Sequence, residues 1–230
     1  LLQMAAGMMP DLSVGGLAEG HYPEVYMSLM EYFDEADLQA KPTQLKDKVA
    51  VSGLPFGDVA QGAYYADPVA WAVANDVTTG MSATTFSPDA SCTRAQALTF
   101  LWRACGSPEP LPGDNPFIDV PAEAYYRKAV LWASQNGITS GTSVRTFSPD
   151  DVCTRAQVLT FQWRVREKSG GASGGVTSPF GDVASGDYFY DAVSWAVGNG
   201  ITVGTSPTTF SPHDQCTRGQ IVTFLYRDFV

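Results

Sequence analysis

Apolar positions along this chain fall into two alternating patterns, and the pair of patterns occurs three times. In the first pattern Val69, Trp71, Ala72 and Val73 form a short helical stretch that runs into polar Asn75. Its equivalents read AVLWASQNG from Ala129 and AVSWAVGNG from Ala192. Each predicts a short helix ending at the asparagine, with Gly137 or Gly200 as a left-handed cap just beyond it. Asp76 takes that place in the first copy, where it is a poorer cap. Pro68 falls in the first turn of its helix, where the missing N–H has no intrahelical partner to lose.

The second pattern is C-T-R-A-Q followed by apolar and polar residues ending in F-L-W-R in the first copy. Thr93 with Gln96, Thr154 with Gln157, and Thr217 with Gln220 have the spacing of a capping box. A second helix is therefore predicted from about Arg94 to Arg103, and at the same place in the other copies. A turn-rich loop of the form I-T-x-G-T-S-x-T-T-F-S-P-D joins the two helices, and its Ser-Pro-Asp suits a type I turn. Ahead of the first helix each copy carries F-x-D-V and then an aromatic pair, Tyr64 and Tyr65 in the first.

Aligned without gaps, the blocks 56–103, 117–164 and 180–227 share the same residue in 22 of 48 columns. Self-similarity at a fixed period marks a repeat architecture. A unit of this size is marginal as a lone core, so the three copies are expected to share one. The fold class read from the sequence is all-α, mostly helical with long loops. The connector 104–116 is proline-rich and semi-rigid, whereas 165–179 is rich in glycine and serine and flexible. Residues 1–55 lie outside the repeats and read as a connector or the tail of an upstream domain. Within them Pro23 to about Asp37 predicts a helix with Tyr26, Met27, Met30 and Phe33 on one face. The chain opens without an initiator Met, as a fragment or processed product would.

Charge narrows the partners. A formal charge of −10 and a pI near 4.5 leave no basic surface for nucleic acid or an anionic membrane. No apolar run is long enough for a transmembrane helix, so membrane insertion is not expected. Cys92, Cys153 and Cys216 occupy one column just before the capping threonine. An apolar residue there packs back on the fourth helical position (Ala97, Val158 or Ile221) as a hydrophobic staple. With no CxxC pair and only two histidines, no metal site or cofactor is expected. Nucleophile-elbow, metalloprotease, P-loop, dinucleotide and EF-hand motifs are all missing, so the chain does not read as a catalytic domain.

One column is electrostatically out of place. Arg94, Arg155 and Arg218 occupy the first helical position, where the macrodipole disfavours a cation by roughly 0.3–1 kcal/mol. A salt bridge to the repeated Asp58, Asp119 or Asp182 would offset this. Alternatively, free N–H groups, dipole and guanidinium together would hold a carboxylate or phosphate. Both remain open at this stage. Arg103, Arg164 and Arg227 stand at helix C-termini, where a cation is favourable, and read as structural. Trp71, Trp132 and Trp195 lie on an apolar helix face and read as core. Tyr64, Tyr125 and Tyr188 precede that helix in a loop, placed either to stack on a sugar ring or to pack inside. The candidate ligand-binding set is therefore these three tyrosines, the three arginines at the helix starts, and Asp58, Asp119 and Asp182.

Taken together, F-x-D-V, an aromatic eight residues after the Phe, A-V-x-W-A, G-I-T-x-G-T-S, F-x-P and T-R-A-Q resemble the S-layer homology domain. The resemblance covers the three blocks, about two-thirds of the chain. It implies a pseudo-threefold, three-pronged module with one helix per repeat in a central bundle, a monomer with an internal pseudo-trimer. It also implies an extracellular place at a bacterial cell wall, and non-covalent binding of a secondary cell-wall polymer through a pyruvylated sugar held between neighbouring repeats. In the family pattern the T-R-A-E arginine corresponds to Arg94, Arg155 and Arg218, and the groove tryptophan is replaced here by Tyr64, Tyr125 and Tyr188. Gln stands for the usual Glu, and Gly219 for the usual Ala. The alternatives are a structural or assembly module of the surface layer, a protein-binding module, or the anchor of an exported enzyme whose catalytic part lies upstream.

Overall fold

The computed structural model describes residues 53–172 and 175–230. The helix expected at 23–37 lies outside the described residues, as does most of the segment 1–55. Six α-helices follow one another among the described residues: α1 (Ala66–Ala74), α2 (Arg94–Ala104), α3 (Arg127–Gln135), α4 (Arg155–Lys168), α5 (Tyr190–Gly198) and α6 (Arg218–Phe229). Extended pairing is limited there to isolated bridges, such as Thr93 with Val152 and Thr154 with Gln215. The all-α expectation holds.

The first helix of each copy starts without a side-chain cap, from turns such as Ala66 N–H to the Ala63 carbonyl at 3.0 Å. Its C-terminus is more elaborate. Gly137 and Gly200 take φ of 69° and 70°, and Asp76 is forced to 58° in the same role. The asparagine before each of them turns its Nδ2 back to the carbonyl of Trp71, Trp132 or Trp195 at 2.8–2.9 Å. Each of these carbonyls already accepts the backbone N–H of the same asparagine at 3.0 Å, so the side-chain amide adds a second bond at the helix end.

The second helices carry the expected capping box, with both halves formed in all three copies. In α4 the Gln157 N–H reaches Thr154 Oγ1 at 3.3 Å while Gln157 Oε1 accepts the Thr154 N–H at 3.1 Å. Thr154→Ala is expected to lower the unfolding free energy by about 1 kcal/mol, read from urea denaturation followed by tryptophan fluorescence. The helix ends differ from expectation in one respect. α2 stops at Ala104 because Gly106 turns left-handed ahead of Pro108, but no breaker follows Arg164 and α4 runs on to Lys168. The added turn brings Arg166 against Asp228 of α6 at 2.8 Å.

The packing explains why one copy is not a domain. Each first helix packs on the second helix of another copy: α3 on α2, α5 on α4, and α1 on α6. The three second helices touch one another pairwise. At their N-terminal ends the backbones close a ring. Cys153 N–H donates to the Cys92 carbonyl at 2.8 Å, Cys216 to Cys153 at 2.9 Å, and Cys92 to Cys216 at 3.0 Å. The proline-rich connector is tied down as its composition suggests. Trp102 Nε1 donates to the Pro108 carbonyl at 2.8 Å, and the Gln135 amide pairs with both backbone groups of Leu111.

The cysteine column is core. Cys92, Cys153 and Cys216 are fully buried and free, in the same apolar cluster as Ala97, Val158 and Ile221. Burial pushes the thiols of Cys92, Cys153 and Cys105 up to about 12, against the opposing charges of Arg218, Arg94 and Arg166 respectively. Thiolate is the reactive form. Ellman's reagent at neutral pH is therefore expected to find no fast-reacting thiol in the folded protein, and all four cysteines in guanidinium.

Candidate functional site

The candidate site is built where copies meet. Its first part is the F-x-D-V aspartate. Asp58 accepts the N–H groups of Phe86 at 2.9 Å and Ser87 at 2.7 Å. Asp119 does the same for Phe147 and Ser148, and Asp182 for Phe210 and Ser211. The serines need this support because Ser87, Ser148 and Ser211 all stand at φ of 57–58°, a region costly for any residue with a Cβ.

The carbonyl of the same phenylalanine receives the arginine of another copy. Arg94 Nε donates to Phe147 O at 3.0 Å, Arg155 to Phe210 O at 3.0 Å, and Arg218 to Phe86 O at 2.8 Å. Asp58 and Arg218 thus hold opposite ends of one residue without touching each other. The salt bridge considered from the sequence is replaced by this relay. Among the described residues the ion pairs are Lys128–Glu109 and Arg166–Asp228.

Each guanidinium also lies over two rings of the copy it enters. Arg94 stands 4.9 Å from Phe147 and 5.7 Å from Phe161, Arg155 4.7 Å from Phe210 and 5.4 Å from Phe224, and Arg218 4.8 Å from Phe86 and 5.2 Å from Phe100. Their residues are only 3–4% exposed. Burial pulls all three below the usual arginine value, opposed by nearby groups, Cys153 and Asp151 at Arg94 and Cys216 and Asp214 at Arg155. One donor is left over: Arg218 Nη2 is buried with no hydrogen-bond partner among the described residues.

The helix N-termini are already occupied by backbone carbonyls, so the N–H groups of the anion-site alternative are not free. Arg94 N–H donates to Asp151 O at 2.9 Å and Ala95 N–H to Pro149 O at 3.0 Å, and the pairs at α4 and α6 repeat this. The third N–H of each helix goes to the capping threonine. The loop of a neighbouring copy satisfies the groups that the dipole argument left free. What the arginines still offer is charge.

Tyrosine supplies the exposed part. Tyr64, Tyr125 and Tyr188 are 58%, 62% and 61% exposed, whereas the next aromatic, Tyr65, Tyr126 or Phe189, packs inward against the core. Partial burial raises the phenol of each of the three outer tyrosines. Thr217 and Cys216 lie beside the Tyr64 hydroxyl, and the Arg155 charge acts on it. Tyr125 stands in the same way to Cys92 and Arg218, and Tyr188 to Cys153, Thr154 and Arg94. Each junction therefore draws its tyrosine, its cap and its arginine from three different copies. The capping threonines and the phenylalanines of the turn also belong to the junction, which the sequence alone does not single out. Both are repeat columns, but each already had a local explanation. Among the described residues no group of three His, Cys, Asp or Glu side chains is placed to hold a metal.

Acid should loosen these junctions. Burial raises the carboxyls of Asp58 and Asp182, but N–H groups of Phe86, Ser87, Phe210 and Ser211 and the charges of Arg218 and Arg155 outweigh it, holding both below 3.8. Such a group stabilises the fold fully above its unfolded value, and the contribution is lost as pH falls through its lower folded value. Melting temperature is expected to drop on acidification below about pH 4, and the Asp58→Asn/Asp182→Asn variant to show a shallower drop from a lower start.

Comparison with known proteins places this arrangement. The family model for the S-layer homology domain matches residues 55–98, 116–159 and 179–222. The chain belongs to the S-layer homology domain family. Proteins similar to this chain include an endoglucanase of Bacillus sp. (strain KSM-635), 35% identical over 116 residues, which are 50% of this chain and 12% of that protein. A surface-layer 125 kDa protein of Lysinibacillus sphaericus is 32% identical over 105 residues, 46% of this chain and 9% of that one. A cellulosome-anchoring protein of Acetivibrio thermocellus is 26% identical over 147 residues, 62% of this chain and 33% of that one. The S-layer homology chain thus spans a third or less of each of these relatives.

Proposed function

We propose that this chain anchors an exported bacterial protein non-covalently to the cell wall by binding a secondary cell-wall polysaccharide through an anionic, pyruvylated sugar. S-layer homology domains are cell-surface modules, and the relatives named for surface-layer and cellulosome-anchoring roles support the wall as the partner. No helix among the described residues is long and apolar enough to cross a membrane. The single observation that carries the reading is the repeated pairing of a largely exposed tyrosine with a buried arginine charge from another copy. An exposed ring offers a flat apolar face to a sugar, and a desolvated cation beside it selects for a carboxylate. Junctions repeated on one chain add their affinities through effective concentration.

The test uses purified wall carrying its polymer, and the Tyr64→Ala/Tyr125→Ala/Tyr188→Ala variant. Those side chains are largely exposed, so the variant is expected to stay folded, which its melting curve checks. Its affinity is expected to fall at least about tenfold, equivalent to ~1.4 kcal/mol. Equal binding by a folded variant removes the tyrosines from the site, and a wild-type chain that binds no wall fraction removes the anchor reading. A second reading, assembly of a surface lattice, draws on the surface-layer relative. It expects concentration-dependent growth in sedimentation experiments without any wall material. The 12% share of the endoglucanase covered here is consistent with an anchor carried by a longer protein whose activity lies elsewhere.

A further inference from the structure

The three junctions share one geometry but not one charge. The loop after each F-S-P turn lies over the start of another copy's second helix, and one of its carbonyls accepts the arginine N–H. That carbonyl belongs to Asp151 over Arg94, to Asp214 over Arg155, and to Ala90 over Arg218, at 2.9–3.0 Å. A carboxylate accordingly stands beside two of the arginines and a methyl group beside the third. One residue earlier the loop carries Asp89, Asp150 or His213, each facing the aromatic pair of its own copy. Asp89 acts on Tyr64 and Asp150 on Tyr125, while the His213 ring meets Phe189 edge-on at 5.8 Å.

Every junction has its arginine and its F-x-D-V aspartate, so these do not distinguish them. The remainder does. The Tyr64–Arg155 junction adds two carboxylates, Asp89 and Asp214. The Tyr125–Arg218 junction adds one, Asp150, and the Tyr188–Arg94 junction adds one, Asp151, with an imidazole where the others have an acid. Even at a dielectric near that of water, an exposed carboxylate about 6 Å from a bound anion weakens it roughly threefold, and two together weaken it about tenfold.

Resting on the anchor reading above, we propose that an anionic sugar occupies the Tyr125–Arg218 and Tyr188–Arg94 junctions and is excluded from the Tyr64–Arg155 junction by Asp89 and Asp214. The module is a two-site anchor with a third junction that is closed to anions. Asp89 and Asp214 are exposed, and Asp214 meets Arg155 through its backbone carbonyl, so both side chains can be altered without disturbing the relay.

Isothermal titration with a monosaccharide bearing a pyruvyl ketal is the test, with wall-polymer pull-down run in parallel. Wild type is expected to bind two sugars per chain, and Asp89→Asn/Asp214→Asn to bind three. Tyr64→Ala should leave the wild-type stoichiometry unchanged, whereas Tyr125→Ala should halve it. Three equivalent sites in wild type, fewer than two, or no gain in the double variant would each overturn the proposal. If polymer is pulled down but the sugar gives any of those results, the anchor reading stands and only the charge exclusion fails. If polymer is not pulled down, the anchor reading itself fails.

Discussion

Arg155→Ala is expected to lower the unfolding free energy by about 3 kcal/mol, a large fraction of the stability of a domain this size. The substitution strips the Phe210 carbonyl of its 3.0 Å donor and removes a cation from between the rings of Phe210 and Phe224. A buried carbonyl left without a partner costs ~1–3 kcal/mol, and each desolvated cation–ring contact is worth roughly 0.5–2 kcal/mol. Urea unfolding followed by the fluorescence of the buried Trp71, Trp132 and Trp195 measures it. Arg155→Lys should recover only part of the loss, because an ammonium keeps the charge but not the flat face that lies between two rings. A double-mutant cycle with Phe224→Ala should show clear non-additivity, since the two groups touch. For binding work the consequence is practical. An arginine-to-alanine variant loses the lock between copies along with any ligand contact, so the exposed tyrosines are the better instruments.

Gly141→Ala should be nearly as damaging, by about 3 kcal/mol, although it adds a single methyl group. Gly141 stands at φ 81°, and a Cβ there would lie 2.4 Å from the Thr146 carbonyl, 2.7 Å from the Phe117 ring and 2.8 Å from the Ser143 carbonyl. Two of those neighbours are backbone and cannot step aside. The loop they belong to carries the Phe147–Ser148 turn that Asp119 holds and Arg94 enters, so the damage should spread to the junction. Gly106→Ala is the matched control. Its φ of 85° is similar but nothing lies within 4 Å of the added atom, so only the backbone strain of about 1 kcal/mol is expected. Thermal unfolding of the two variants side by side separates crowding from conformation.

What could be read from the sequence was local. The capping boxes, the left-handed glycines, the Ser-Pro turn and the tryptophan faces are fixed by residues within about one turn of each other, and all are found where expected. Partner choice was not local. In the sequence Arg94, Arg155 and Arg218 point either to an aspartate or to a bound anion, but their partners are carbonyls 53, 55 and 132 residues away. A backbone acceptor leaves no mark on composition or spacing. Tyr64 and Tyr65 posed a different difficulty, because two adjacent aromatics ahead of a helix give no periodicity to show which points inward. The asparagine ending each first helix was visible as a repeat column, yet its return to the tryptophan carbonyl depends on a rotamer that no pattern encodes.

The cysteine ring bears on how many copies such a chain can hold. In a stacked repeat array any number of units fits, because each new one extends an open end. Here the last copy returns its bonds to the first: Cys92 donates to Cys216, and Arg218 reaches Phe86. A fourth copy would find no seat, and two copies would leave an arginine and a loop facing water. Chain ends are then almost arbitrary. Linking Val230 back to Gly53 and reopening the chain inside the 165–179 connector should give a circular permutant that closes the same ring, whereas duplicating or deleting one copy should not.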